Sequence, residues 1–356
     1  MPRTITHVGG GMEFKQEIPD PTMSPFIDQD ESMILMDIPT VTGQLLDDED
    51  LKKLHDAGIR TAQMFYHDWN VIEPTPGAYN WDPIDRYLER LQRNGFKALI
   101  MTPTWGCAWF PDSWCAMTAH GKALDERGFG VLSPWNDAAQ AHLIGYYQAL
   151  AARYNKPGQS MVINAQQTSG ETFFLNEPAY YDTCALGSYQ EYTGNAGIPT
   201  PKDPDTEQWL FESLLNMLLG QNKVLCESSG EVWMMQHPAI ADFNLYGNGN
   251  QWIGQFLTAY RATFPEAQIN QIYYTWVQWA GYWARMNFWR DTFKTNVWGG
   301  AEYCEGLVSS VPAAIANGLR GLLIGPCHPF TGHEHIEPWM VTAIKVAYKR
   351  LQNRPA

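Results

Sequence analysis

Short apolar runs alternate along this chain with longer stretches in which apolar and polar residues follow a helical period. The alternation is clearest between residues 59 and 102, where the apolar runs 59–65 and 96–102 flank a polar loop and a predicted helix over 83–94. Gly95 follows this helix and is expected to end it. Apolar residues recur in the helix at the spacing of one buried face: Ile84, Tyr87, Leu88 and Leu91.

The complete pattern consists of predicted strands and predicted helices in strict alternation. The strands are predicted at 33–39, 59–65, 96–102, 160–166, 231–236, 269–276, 295–301 and 319–325. The helices are predicted at 47–56, 83–94, 134–155, 207–228, 252–264, 282–293, 307–317 and 336–353. Eight strands that are each followed by a helix are typical of an α/β fold, the (β/α)8 TIM barrel. We expect this barrel over residues 33–356, an extended N-terminal arm over residues 1–32, and long βα loops after strands 3 and 4.

The loop after the second strand carries a distinctive motif. Trp69-x-x-Ile72-Glu73-Pro74 is followed by Pro-Gly-x-Tyr-Asn-Trp-Asp, a helix, a glycine and an apolar strand that ends in Thr-x-Thr-Trp. This order resembles the second and third βα units of clan A glycoside hydrolases, and the β-galactosidase-type members are the most similar. The resemblance covers residues 59–109 and implies a sugar-processing barrel. The same residues also fit a tight βα connection in which Trp69 and Trp81 pack in the core.

The composition and net charge of the chain indicate which kinds of molecule it could bind. The chain has 356 residues, including 15 Trp, 17 Tyr and 15 Phe, more aromatic rings than packing alone usually needs. Such rings can stack on sugar faces. The net charge of −14, from 24 Lys and Arg against 38 Asp and Glu, repels nucleic acid and anionic membranes. We therefore expect a carbohydrate substrate, with no nucleic acid and no membrane as partner; the oligomeric state cannot be inferred from the sequence.

The termini and the cysteines give further expectations. The first residues contain no basic segment followed by an apolar core, so we expect no signal peptide and a cytoplasmic protein. The six cysteines include no Cys-x-x-Cys pair, which argues against a zinc ribbon. Cys107 and Cys115 are near enough in sequence to be bonded, but buried thiols are expected inside a cell. We expect no cofactor.

Hydrolysis of a glycosidic bond requires two carboxyl groups, which a barrel presents at the carboxyl ends of its strands. The resemblance implies an acid/base residue after strand 4 and a nucleophile after strand 7. Two glutamates follow strand 4: Glu177 matches the Asn-Glu dipeptide of the family, whereas Glu171 matches by its distance from the strand. The sequence Gly170-Glu171 is also similar to the β-amylase barrels, which invert. We favour Glu171 as the acid/base and keep Glu177 as the alternative.

The apolar strand 295–301 leads directly into Glu302, which we predict as the nucleophile, with Glu305 in reserve. Glu171 and Glu302 together predict a retaining mechanism, although a wide carboxyl separation would predict inversion. Further residues near strand ends are predicted to contact substrate. They are Asp37, His67, Trp105, Asn164, Gln166, Glu177, Tyr274, Trp276, Trp298, Glu305 and His328.

Two other classes of function stay open. His333-x-His335, with Glu334 or Glu337 nearby, has the spacing of zinc ligands, yet metal-dependent amidohydrolase barrels place His-x-His after strand 1, where this chain has none. We therefore predict no catalytic metal. The barrel could also be a non-catalytic glycan-binding protein, because a fold does not fix a function. The sequence favours a glycoside hydrolase that degrades an oligosaccharide or polysaccharide, and it leaves the sugar, the anomer and exo or endo action open.

Overall fold

The computed structural model describes most of the predicted barrel. The described residues are 3–9, 12–18, 26–28, 30–37, 46–65, 69–101, 107–115, 117–118, 121–122, 128–130, 132–133, 135–156, 158–163, 204–236, 249–273, 287, 290–302, 304–325 and 335–353. The strands are β1 Arg3–Gly9, β2 Met12–Ile18, β3 Met33–Asp37, β4 Thr61–Phe65, β5 Lys97–Met101, β6 Met117–Thr118, β7 Gly121–Lys122, β8 Ser160–Val162, β9 Glu231–Gln236, β10 Gln268–Tyr273, β11 Asn296–Glu302 and β12 Gly321–Ile324. The α-helices are α1 Asp48–Asp56, α2 Trp69–Ile72, α3 Asp82–Arg93, α4 Asp137–Tyr154, α5 Pro204–Ser229, α6 Gly249–Thr263, α7 Leu307–Ala316 and α8 Pro338–Gln352.

Eight of these strands form one parallel sheet in the order β8-β5-β4-β3-β12-β11-β10-β9. Each of the eight predicted strands corresponds to one strand of this sheet, so the predicted fold is confirmed. The two ends of the sheet approach each other, because Met161 of β8 and Trp233 of β9 belong to the same buried cluster. The sheet therefore curls around an interior, as a barrel requires.

Alternate residues of each strand face the interior and the helices. Each buried aliphatic or aromatic side chain contributes about 1.5–3 kcal/mol to folding. The interior cluster consists of Phe26, Ile27, Ile34, Leu99, Met101, Met161, Ile163, Trp233, Ile272, Trp298 and Leu323. The residues next to these on the strands face the helix layer, among them Leu35, Ala62, Ile100, Val162, Val232, Val297 and Leu322.

The segment before the barrel closes the amino-terminal end of the strands. Phe26 and Ile27 are buried in the interior cluster. The Phe26 backbone N–H donates to Oε1 of Glu231, the first residue of β9, over 2.6 Å, and Lys97, at the start of β5, donates to the Phe26 carbonyl over 3.0 Å. This segment is thus part of the barrel base, although the sequence predicted only an arm.

A second feature of the N-terminal region was also not predicted. β1 and β2 pair as an antiparallel hairpin in which Arg3 lies opposite Ile18 and Gly9 opposite Met12. Isolated hairpins of two strands are marginal in water, so this one depends on its surroundings. The predicted arm over residues 1–32 therefore contains paired structure.

The described helices follow the predicted pattern with small changes at their ends, apart from the short helix α2, which was not predicted; most of the predicted helix 282–293 lies outside the described residues. Ile84, Tyr87, Leu88 and Leu91 are buried on one face of α3, and Gly95 follows it with φ +84°, a conformation that favours glycine. The helix predicted from residue 134 begins at Asp137 instead, because Asn136 is its N-cap and accepts a hydrogen bond from the Ala139 N–H over 2.9 Å. No helix in the described part of the chain is both long and apolar enough to cross a membrane.

Candidate active site at the carboxyl edge of the barrel

All eight strands are parallel, so their carboxyl ends form one edge of the sheet. Asp37 is the last residue of β3, Gln236 of β9 and Glu302 of β11. The ends of β3 and β11 are separated only by β12, a distance of about 10 Å across the sheet. The structure therefore brings the strand ends of two predicted site residues, Asp37 and Glu302, to the same edge.

A β-bulge immediately precedes Glu302. In the register of β11 with β12, Gly299 lies opposite Leu322 and Ala301 opposite Leu323, so Gly300 is an extra residue in β11. Glu302 then lies opposite Ile324. Bulges bend a strand and redirect its side chains, and they are enriched next to active sites.

The loop after β4 is organised around Glu73, the acidic residue of the Trp-x-x-Ile-Glu-Pro motif. Its side chain is fully buried. The carboxylate accepts hydrogen bonds from Trp69 Nε1 over 2.8 Å and from the Gly77 backbone N–H over 2.6 Å. His142 Nε2, from α4, lies 3.0 Å from Oε1 of the same carboxylate. Because a carboxylate only accepts, this His142 nitrogen carries the hydrogen.

The same loop is tied to the chain that follows β5. The Trp109 indole N–H donates to the Glu73 carbonyl over 2.7 Å, and the Ala108 N–H donates to Asn70 Oδ1 over 2.7 Å. The loops after the second and third barrel strands are therefore joined by two hydrogen bonds. Aromatic rings fill the space between them: Trp69, Trp109, Phe110, Trp114, His142 and Tyr146.

Glu73 and His142 are functional candidates that sequence reasoning missed. The motif that contains Glu73 was found, but only Trp69 and Trp81 were considered as packing residues. Trp69 is buried, with 1% of its surface exposed, as the packing interpretation expects, and its ring lies 4.9 Å from Tyr146. Glu73 could have been noticed in the sequence, because it is an acidic residue in the middle of a motif that is rich in aromatic residues. Nothing near His142 in sequence indicated its partner.

The two cysteines of the strand-three loop are thiols. Cys107 and Cys115 are buried and are not joined by a disulfide bond, and burial raises the pKa of Cys115. The predicted thiol state is confirmed for this pair. The loop also contains a 3₁₀ turn, Asp112–Trp114, and the short hairpin β6–β7, although no regular structure was predicted there.

Two predicted substrate residues have described surroundings. Trp298 is 1% exposed in the barrel interior, and its ring centroid lies 6.3 Å from that of Trp233. This burial favours a role in packing over the predicted stacking on a sugar. Glu305 is exposed in the 3₁₀ turn Cys304–Gly306 that follows β11.

Most of the remaining predicted residues lie outside the described residues and stay predictions. They are His67, Trp105, Asn164, Gln166, Glu171, Glu177, Tyr274, Trp276 and His328.

Of the possible metal ligands near residue 335, His333 and Glu334 lie outside the described residues, whereas the surroundings of His335 are described. His335 Nδ1 lies 3.1 Å from Asp50 Oδ2 of α1 and 3.8 Å from Asp47. Asp50 is almost fully buried and also accepts from the Ile336 N–H and from Lys53 Nζ. The Lys53 ammonium already supplies a cation beside this carboxylate. The arrangement therefore anchors residues 335–336 to α1.

Comparison with known proteins gives one family model that is similar to part of the chain. The family model described as β-galactosidase, glycoside hydrolase family 42, matches residues 41–195. No curated protein sequence matches the chain. The matched region includes the motif around Glu73 and both acid/base candidates. The predicted resemblance to β-galactosidase-type barrels is confirmed.

Solved structures support the fold. The β-galactosidase of the psychrophilic Marinomonas ef1 superposes with a TM-score of 0.60 at 13% identity, covering 89% of this chain and 59% of that chain. A catalytic mutant of a GH42 β-galactosidase from G. stearothermophilus gives 0.59 at 12% identity, over 95% of this chain and 60% of that one. The catalytic domain of β-amylase from Paenibacillus polymyxa gives 0.56 at 9% identity, over 86% and 98%. The chain thus spans about three fifths of these β-galactosidases but nearly all of the β-amylase domain.

Proposed function

We propose that this barrel is a glycoside hydrolase and that it cleaves a β-galactoside or a closely related O-glycoside. The observation that carries the proposal is the family match over 41–195, which covers the second and third βα units and the region after the fourth strand. Glu302, at the end of β11 beyond a bulge, supports it, because a barrel glycosidase needs a carboxylate at such a strand end.

In the proposed mechanism, Glu302 attacks the anomeric carbon while Glu171 gives its proton to the oxygen of the leaving group. The glycosidic C–O bond breaks and a glycosyl ester forms on Glu302. Glu171, now a carboxylate, takes a proton from water, whose oxygen attacks the same carbon and releases Glu302. Two inversions give net retention. Negative charge on Glu302 would favour the protonated form of Glu171 before the first step.

The remaining predicted residues have roles that follow from their places near strand ends. Asp37, at the end of β3, is proposed to bind a sugar hydroxyl, and so are His67, Asn164, Gln166 and His328. Trp105 is proposed to stack on a sugar face, and Tyr274 or Trp276 to contact the nucleophile. Glu177 is the alternative acid/base residue.

Turnover of aryl glycosides tests the proposal. Wild type is assayed on a panel that includes aryl β-galactosides, beside Glu302→Gln, Glu171→Gln, Glu177→Gln and Glu305→Gln. We expect release of the aryl group by wild type and a loss of about 10³-fold or more in Glu302→Gln. Glu89→Gln, an exposed residue of α3, is the matched control and should keep wild-type turnover. Activity in Glu302→Gln at the wild-type level would overturn the assignment.

The rate of aryl release from substrates with different leaving groups also shows whether Glu171 or Glu177 is the acid/base residue. An activated aryl group needs little protonation, so removal of the true acid should slow a poor leaving group much more than a good one. We expect this difference for Glu171→Gln. The same difference in Glu177→Gln instead would transfer the role to Glu177.

An inverting α-glucan hydrolase is a second candidate, because the chain spans 98% of a β-amylase catalytic domain. The sequence Gly170-Glu171 is also similar to that family. Inverting enzymes hold their carboxyl groups about 6.5–9.5 Å apart, to leave room for water. Proton NMR of the first product distinguishes the candidates: a β-anomer from a β-galactoside indicates retention, whereas release of β-maltose from starch indicates the second candidate.

A further inference from the structure

We propose that Glu73 is a positioning residue of the active site, which sets the place of the two loops that follow β4 and β5 at the carboxyl edge of the barrel. This inference rests on the proposed function, because it concerns how substrate is held. Glu73 contacts α2 and the turn at Gly77, which flank it in sequence, and two distant segments: the helix α4 through its carboxylate and the loop after β5 through its backbone carbonyl.

The chain positions explain why this cluster reaches the site. β4 ends at Phe65, and α2 begins at Trp69, so only three residues, among them His67, connect the strand end to the cluster. β5 ends at Met101, and the loop rejoins the cluster at Cys107 and Ala108. Trp105 lies between these two fixed points. The described parts of the two loops, residues 69–73 and 107–110, are thus joined to each other close to the ends of β4 and β5.

The side-chain bonds of Glu73 fix the first loop. Oε2 of the carboxylate accepts from the indole of Trp69 and Oε1 accepts from the Gly77 N–H, whereas His142 Nε2 lies 3.0 Å from Oε1 and 3.2 Å from Oε2. Gly77 has φ +75°, a conformation that glycine adopts at little cost. Hydrogen bonds to a buried carboxylate are charge-assisted and short, so the loop has little freedom.

The backbone of the same residue fixes the second loop. The Glu73 carbonyl accepts from Trp109, and Asn70, one turn earlier, accepts from the Ala108 N–H. Movement of residues 69–73 would therefore move residues 107–110 as well. The buried Glu73 therefore connects the loop that follows β4 with the loop that follows β5.

The informative variant is Glu73→Gln, which keeps the size of the side chain and one acceptor. Its amide NH₂ must face one of three N–H donors, from Trp69, Gly77 or His142, so at least one of them loses its acceptor. Asp85→Asn is the matched control. Asp85 is a partly buried carboxylate on α3 that bonds Arg153 and Tyr154, next to the same aromatic cluster but on the helix side of the sheet.

Two readouts test the inference on the full chain. Hydrogen exchange should become faster in peptides that contain residues 69–73 and 107–110 in Glu73→Gln, and should stay at the wild-type rate there in Asp85→Asn. KM for the best aryl glycoside should rise about tenfold in Glu73→Gln, with kcat changed less than about threefold, at a temperature where both variants are folded by circular dichroism. Asn70→Ala should raise KM in the same direction.

Two results would overturn the inference alone. One is unchanged exchange in both loops of Glu73→Gln; the other is faster exchange with the wild-type KM, which would make Glu73 purely structural. If Glu73→Gln does not fold, Asn70→Ala and Trp109→Phe, which each remove one bond between the loops, decide in the same assay: a wild-type KM in both contradicts the inference. Absence of turnover by wild type on every glycoside would overturn the proposed function and this inference together.

Discussion

Each end of the barrel contains a buried glutamate whose carboxylate accepts hydrogen bonds from several N–H groups, and we expect the two glutamates to differ in role. At the base, the buried Glu231 carboxylate accepts from the Phe26 N–H, from Trp233 Nε1 and from Asn270 Nδ2. At the carboxyl end, the buried Glu73 carboxylate accepts from Trp69 and Gly77 and lies against His142. Both acids hold distant segments together through N–H donors.

The difference lies in what each acid holds. Glu231 connects the segment at Phe26 to strands β9 and β10, all of which belong to the closed base. Glu73 holds loops that lead to predicted substrate residues. In a barrel, residues at the base serve stability and residues at the carboxyl end serve chemistry. Substitution of Glu231 should therefore lower the free energy of unfolding without changing KM, whereas substitution of Glu73 should raise KM.

The largest expected effect on stability is that of Glu231→Ala. The change leaves three buried donors without their acceptor and should lower the free energy of unfolding by about 4 kcal/mol. Denaturant unfolding measures it, with the exposed Glu266→Ala as control. KM and kcat of the folded fraction should equal those of wild type; a raised KM would remove the distinction between the two ends.

Glu31 is a second buried carboxyl group at the base, and its neighbours offset the effect of its burial only in part. Burial raises its pKa from 4.5 to about 7, although Lys97 lies near. Between these values the unfolded chain loses this proton before the folded chain does, so the stability of wild type falls as the pH rises from 4.5 to 7.

Glu31→Gln removes this pH dependence. At pH 8 the variant should be more stable than wild type by up to about 3 kcal/mol, and at pH 4 the two should be equal. Thermal unfolding across this pH range measures the difference, and the exposed Glu49→Gln should show none of it. A variant less stable than wild type at pH 8 would show that the charged carboxylate is needed at the base.

Gly321 tests how closely the base is packed. A Cβ at this position would lie 2.4 Å from the Ser32 carbonyl oxygen and 2.4 Å from the Trp298 ring. Gly321→Ala should therefore lower the free energy of unfolding by about 2 kcal/mol. Gly145→Ala, on a helix with open space around it, is the control and should be neutral or slightly stabilising. Equal stability of the two variants would show that the strand can move at no cost.

The smallest effect concerns the helix that supplies His142. Asn136 caps α4, and Asn136→Ala should lower stability by about 1 kcal/mol, whereas Asn136→Asp should retain the cap. Because the cap lies more than one turn from His142, KM should not change. A raised KM in Asn136→Ala would mean that α4 as a whole, and not Glu73 alone, positions the loops.

The sequence predicted the elements much better than the contacts between them. Local periodicity located all eight barrel strands and the buried face of α3, because a strand or an amphipathic helix repeats its pattern within a few residues. The partners of buried polar groups follow no such pattern. The bond between Phe26 and Glu231 joins residues 205 positions apart, and nothing near either residue indicates the other.

In the candidate site, too, the sequence indicated positions on strands but not the contacts between distant residues. Glu302 was predicted because it directly follows an apolar strand, and the strand does end there; its role as nucleophile stays a prediction. Trp298 was predicted to stack on a sugar, since an exposed and a buried tryptophan look alike in sequence; the structure buries it next to Gly321 of the neighbouring strand. Glu73 was missed because its role arises from donors on α4 and on the next loop.

We propose that Glu302 is the nucleophile of a retaining glycosidase, and covalent trapping of the glycosyl-enzyme tests this role. The protein is incubated with an activated 2-deoxy-2-fluoroglycoside of its best substrate sugar, digested with trypsin and sequenced by mass spectrometry. We expect one glycosyl unit on the peptide 295–320, attached to Glu302 and not to Glu305. A sugar attached to any other residue, or turnover of the normal substrate with inverted product and no adduct, would contradict the account.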